Sequence, residues 1–262
     1  MMAVVIGVLG EMRKGLLMSW TYRVNTLAGT LTLGFIFVSI GFLLGGGLLA
    51  QEDLAPALLG YLTWVFVSSA VSDLSYGVHS EITAGTLEQM AMSPTPVGLL
   101  LIGRVLANMI VSAIQVVLMA VCMTVLVGVR IPFRWQGLPV LATTLVGVFG
   151  FGFLVAGATL VFKQIQSVIS LMNNALAFLN GTFLPVAAMP GWMAVIARTL
   201  PSTQGVIVLR QVVLEGYSLG AVWRNGSLVW LAVHSTVCFA VGWLTFIHCE
   251  RLAKRHGSLG RY

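Results

Sequence analysis

The chain has 262 residues, of which 58% are hydrophobic and only 8% charged, with a formal net charge of +6. Soluble domains carry roughly 25% charged residues, so a soluble globular protein is excluded and a lipid-embedded one is indicated. No basic stripe interleaved with aromatics occurs, so the positive excess reads as membrane orientation and contact with anionic headgroups, with no nucleic-acid partner.

The first segment, 1–22, has apolar residues at helical spacing (Val5, Val8, Leu9, Met12, Leu16), with Glu11, Arg13 and Lys14 on other positions. This predicts an interfacial helix lying along the membrane surface. The charges follow the apolar stretch, which is the reverse of signal-peptide order.

A helix needs about 20 apolar residues to cross the hydrocarbon. Six spans are expected, at 24–51, 54–78, 99–129, 137–162, 165–185 and 225–249. Asp73 falls about one turn inside the end of the second span and reads as a solvated or paired residue there. Gly41 and Gly45 stand at GxxxG spacing, and Gly147, Gly150 and Gly152 cluster in the fourth span, all allowing close helix packing. With both termini inside, nine Lys/Arg lie on the inner side (Arg13, Lys14, Arg23, Arg104, Lys163, Arg251, Lys254, Arg255, Arg261) and five on the outer (Arg130, Arg134, Arg198, Arg210, Arg224). The positive-inside rule therefore favours cytoplasmic termini. The tail RLAKRHGSLGRY is short, basic and expected to be only partly ordered.

Two segments break the apolar pattern. The first, 80–96, reads SEITAGTLEQMAMSPTP. Gly85 lets the chain turn, Thr86 and Gln89 have capping-box spacing, and Leu87, Met90 and Ala91 form a small apolar face before Pro94. Thr95 and Pro96 supply an N-cap and a first-turn proline for the next span. A short cytoplasmic helix between spans two and three follows, suited to docking a partner.

The second, 190–216, reads PGWMAVIARTLPSTQGVIVLRQVVLEG. It is too charged for a clean span and too apolar for an exposed loop. Two short helices dipping back into the membrane, near Trp192–Leu200 and Thr203–Leu214, resolve the conflict. Arg210 and Glu215 are expected to pair or to meet headgroups.

Catalytic and metal sites find no support. The histidines (His79, His234, His248, His256) lack metal spacing, and Cys122, Cys238 and Cys249 are far apart and read as small buried apolar residues. His79, Asp73 and Glu81 cluster near one interface as a polar collar. None of the three lysines stands in a Gly-Lys-Ser/Thr phosphate loop, so ATP hydrolysis belongs to another chain.

The stretch EITAGTLEQMAMSPTP with Arg104 in the next span, and the segment 183–216 with Pro201 and Arg210, resemble the two hallmarks of ABC transporter type-2 exporter permeases, of the multidrug or antibiotic-export kind. The resemblance covers nearly the whole chain, read as a single transmembrane domain over 1–262. It implies an all-α membrane protein with six transmembrane helices, an N-terminal interfacial helix, a cytoplasmic coupling helix between spans two and three, and two re-entrant extracellular helices before span six. It implies a homodimer, each copy docking a separate ATP-binding subunit that binds the ATP and Mg, with no cofactor in this chain. Glu81, Gly85, Thr86, Leu87, Glu88 and Gln89 would then form the ATPase-coupling region. Pro190, Trp192, Arg198, Pro201, Arg210 and Glu215 would belong to the re-entrant pair, and the first and fifth spans would meet across the dimer interface. The expected substrate is a hydrophobic or amphipathic drug, antibiotic or lipid-like molecule, and the expected location a bacterial inner membrane. Export of a polysaccharide or lipid-linked glycan is the alternative within the family; a secondary transporter or channel is the alternative outside it.

Overall fold

The computed structural model describes residues 9–10, 12–14, 16–17, 20–44, 51–86, 92, 96–129, 132, 134–162, 166–182 and 186–255. The described residues form an all-helical bundle with no strand among them. Its helices are α1 (Arg23–Leu44), α2 (Gln51–Thr83), α3 (Val97–Val127), α4 (Gly137–Phe162), α5 (Gln166–Leu179), α6 (Gly191–Arg198), α7 (Pro201–Val213), α8 (Leu219–Arg224) and α9 (Ser227–Arg255), with a 3-10 turn over Val186–Ala188. Helices α1, α2, α3, α4 and α9 are each long and apolar enough to cross a membrane, and the bent pair α6–α7 makes up to a sixth candidate.

Several bounds differ from the sequence expectation for local reasons. The helix α2 begins at Gln51 and runs 33 residues to Thr83, well past the expected end at 78. Past Pro56, near its start, it holds no further proline, and the chain turns only at Gly85, whose φ of 68° is left-handed. The Thr86 amide then reaches back to the Glu81 carbonyl at 3.0 Å, the six-to-one bond of a Schellman-type closure. Pro96 stands as the N-cap of α3 rather than inside its first turn, and α3 ends at Gly128, which is left-handed at φ 78°. Helix α5 is only 14 residues long, about 21 Å, which falls short of a bilayer crossing. The short helix α8 was not anticipated. Its signal was Ser218, whose side chain caps the Ala221 amide at 3.2 Å. The first residues of the basic tail, 251–255, continue α9 as helix. Gly45 lies outside the described residues.

Helix α4 is the centre of the bundle and packs on α9, α2 and α7. Its glycine cluster is the reason it can. A Cβ on Gly150 would fall 2.3 Å from the Cys238 carbonyl oxygen, one on Gly147 2.6 Å from Pro201, and one on Gly152 2.6 Å from Leu74. Across the same contact, a Cβ on Gly242 of α9 would sit 1.8 Å from the Gly150 oxygen. Helices in lipid gain little from burying apolar surface against one another, so close backbone approach and dispersion must hold them. Below this contact Phe153 meets the Trp243 ring edge-on, 5.0 Å between centroids at 89°.

A second core joins α1, α2 and α3 through Phe37, Leu58, Tyr61 and Met119. Polar ties reinforce it. Tyr61 donates to the Leu33 carbonyl at 3.0 Å, and the Gln115 amide donates to the Thr26 carbonyl at 3.4 Å. Helix α5 is held to α2 in the same way, by Trp64 Nε1 to the Asn173 carbonyl at 3.3 Å and by Asn173 Nδ2 to Ser72 Oγ at 2.8 Å. The three cysteines are free thiols and only partly buried, less enclosed than expected.

The glycine contact yields a test. Gly150→Leu should destabilise the detergent-solubilised protein by on the order of 2–3 kcal/mol through overpacking. Gly220→Ala, with open space around its Cβ, should change stability by less than about 0.5 kcal/mol. Thermal unfolding of the two variants beside wild type checks this.

Candidate functional site

The polar groups that the sequence singled out gather at the two ends of α2. At one end, the last turn of α2 carries Glu81. Arg104, two turns into α3, donates from Nη2 to Glu81 Oε1 at 2.6 Å, and the two side chains are each only 16% exposed. The Thr86 hydroxyl donates to Glu81 Oε2, so both carboxylate oxygens are held. A charge-assisted pair enclosed this far is strong only because every partner is satisfied.

One expectation changes here. Glu81 belongs to the span helix itself and not to the polar interlude after it. Thr86 donates its hydroxyl back to Glu81; Gln89, its expected capping-box partner, lies outside the described residues with Leu87 and Glu88. Gly85 is exposed at the turn between them. The clamp therefore fixes the end of α2, ahead of residues 87–95.

Asp73 and Glu81 of the expected polar collar keep different neighbours. Helix α2 continues as a candidate span through Glu81. That places Asp73 eight residues, about 12 Å, from the Glu81 end, about two turns in rather than one. Asp73 lies beside the neutral Asn108 side chain of α3, while Glu81 takes Arg104 and Thr86. No group of three or more metal-capable side chains occurs among the described residues.

At the other end of α2 stands Arg210 of α7. Its Nη2 donates to the carbonyls of Pro56 at 2.9 Å, Gly181 at 2.8 Å and Thr182 at 3.5 Å. Arg210 thus ties three elements: the start of α2, the turn after α5, and the α6–α7 pair. It does not pair with Glu215, which is exposed past the end of α7. The reason is burial. In an apolar surround a cation is stabilised by converging carbonyl dipoles. The turn it grips is closed, with Asn180 fully buried and Thr182 2% exposed. Gly181 bends it at φ 72°.

Gly60 makes this approach sterically feasible. A Cβ there would lie 2.9 Å from Arg210 Nη2 and 3.0 Å from the Thr182 Cα. Sequence reasoning missed Gly60, one glycine in an apolar span with no motif around it.

The remaining re-entrant residues build the hairpin. Pro190 is the N-cap of α6, Trp192 is exposed on its first turn, and Arg198 is its last residue. Pro201 opens α7 at its first position, where a proline costs no hydrogen bond. The two helices meet at 89°. They begin at Gly191 and Pro201, slightly before the expected starts, because each proline sets the boundary. His234 of α9 donates from Nε2 to the Thr199 carbonyl at 2.7 Å, pinning the elbow.

The family model described as ABC-2 type transporter matches residues 11–214. The chain belongs to the ABC-2 type transporter family. It is a multi-pass membrane protein, the transmembrane permease component, and the family implies association with a separate ATP-binding subunit. No curated protein matches it. The match to this ABC-2 type chain spans both ends of α2, from the N-terminal segment to Leu214, the first residue after α7.

The Glu81 clamp is open to a double-mutant cycle. Glu81→Gln, Arg104→Met and the double variant should show a coupling energy on the order of 1–2 kcal/mol in equilibrium unfolding. Additive effects would mean that the two side chains do not act as a pair.

Proposed function

We propose that this chain is the permease subunit of an ATP-driven exporter. Two copies associate, each docks a separate ATP-binding cassette subunit, and the pair moves a hydrophobic or amphipathic molecule outward or across the bilayer. ATP and Mg are bound by the partner. The protein sits in a bacterial inner membrane with both termini cytoplasmic, its first segment lying on the inner surface. The Glu81 end of α2 then faces the cytoplasm and the α6–α7 hairpin faces outward.

The observation that carries this reading is the clamp of Glu81 by Arg104 and Thr86. It anchors the residues directly before TLEQMAMSPTP to two spans at once. A docking element transmits a push only if its root does not fold away. Leu87 serves as the apolar anchor for the ATPase and Glu88 as the polar contact. The association of two copies is supported by the apolar faces that α1 and α5 leave open, including Leu31, Phe35, Leu171 and Phe178, each more than half exposed.

The test is affinity purification of the tagged chain from its own host, with identification of the co-purifying subunits. A stoichiometric ATP-binding cassette subunit, lost with Leu87→Asp, is the expected result. Glu88→Ala should keep ATP hydrolysis while reducing transport. A chain that purifies alone and moves solute in liposomes without ATP would make it a secondary transporter or channel instead.

A further inference from the structure

Ser69, Ser72, Asp73, Tyr76 and Ser80 stand at i, i+3, i+4, i+7 and i+11 of α2 and so share one face. That face remains open in part. Ser69, Ser72 and Asp73 are half-buried, Ser80 is exposed and Tyr76 is 40% exposed. Away from it, Val67, Val71, Leu74 and Val78 are buried against the bundle. A membrane helix normally turns its polar side to its neighbours and its apolar side outward. Here the polar stripe is the side left open.

The stripe is edged by further polar groups. Asn173 of α5 donates to Ser72 at 2.8 Å, and Asn108 of α3 stands beside the Asp73 carboxylate. Asp73 is also the one carboxylate away from the ends of a candidate span: Glu81 closes the window Leu54–Glu81, and Glu250 lies three residues from the end of Ser227–Ala253. Among the described residues the side chain set beside it is the neutral amide of Asn108. The nearest cation along α3, Arg104, one turn from Asn108, is engaged by Glu81. An acid at this depth is costly unless a counter-charge meets it, and such residues mark ligand paths.

We propose that this stripe is a recognition site for a lipophilic cation. Asp73 supplies the counter-charge, Asn108 flanks the carboxylate, and Tyr76 offers an aromatic face one turn away. The apolar surface around the stripe suits the greasy body of such a ligand. The proposal rests on the permease reading above and gives the substrate its charge.

The test is equilibrium binding to the purified full chain in nanodiscs of neutral lipid, reading the saturable component. The probes are tetraphenylphosphonium and tetraphenylborate, which share a shape and differ in sign. Wild type should bind the cation saturably. Asp73→Asn should weaken that binding about tenfold or more, the scale of a lost charge-assisted contact. Asp73→Glu should keep most of it, and neither variant should weaken tetraphenylborate binding. Tyr76→Lys, at an exposed position, places a cation on the same face. It should weaken the phosphonium and strengthen the borate, and it serves as the test should Asp73→Asn fail to fold. No saturable phosphonium binding by wild type overturns the proposal, as does equal affinity in wild type, Asp73→Asn and Tyr76→Lys. The assay contains no ATPase, so its failure leaves ATPase docking untouched, and loss of ATPase co-purification leaves the binding result readable.

Discussion

One helix, α2, is bonded through charged side chains at both of its ends, and the rest of the structure is arranged around that fact. Near its start the Pro56 carbonyl accepts from Arg210. At its last turn Glu81 accepts from Arg104. The two residues stand 25 positions apart, about 38 Å along one continuous helix. In lipid neither charge can be left without partners, so each cluster is closed: carbonyl dipoles around the guanidinium, a cation and a hydroxyl around the carboxylate. A helix held in this way moves as a rod. A displacement at the Glu81 end reaches the α6–α7 hairpin without crossing a flexible joint.

The rod is guided by α4. The glycines of α4 bring its backbone against α9 on one side and against Leu74 of α2 on another. Such contacts tolerate little sideways deformation, because backbone cannot repack as side chains do. Gly60 extends the same principle to the Arg210 cluster, where the absence of a side chain lets three separate segments converge on one guanidinium. Helices α1 and α5 sit outside this rigid centre. Their contacts with it are few and partly polar, through Tyr61, Gln115 and Asn173. They are the elements best placed to shift against it.

The membrane class, the helical architecture and the family were legible in the sequence because each leaves a one-dimensional trace. Long uncharged runs set the spans, and the EITAGTLEQMAMSPTP stretch with the proline-rich segment set the family. Other features leave no such trace. Arg210 was visible as a charge in an apolar stretch, but its partners are backbone carbonyls, which every residue has. Glu81 looked like part of a polar interlude, because composition changes there; the helix itself persists until a residue able to adopt positive φ arrives at Gly85. The short α5 could not be read from an uncharged run that continues well beyond it. The depth of Asp73 followed from the same error in the end of α2. Gly60 carried no signal, since its role depends on segments more than a hundred residues away.

The claim that α2 carries motion from one side of the protein to the other can be tested at the far end. Spin labels at Val195, an exposed position on α6, would report the separation of the two hairpins in the proposed two-copy assembly with its ATPase, with and without a non-hydrolysable ATP analogue. The account predicts that the analogue shifts this distance in the otherwise unaltered protein. It predicts that Gly60→Ala, which crowds Arg210 away from the start of α2, abolishes the shift while the ATPase remains bound. The same shift in both proteins would show that the hairpin is driven by another route, and that the bonded ends of α2 serve stability alone.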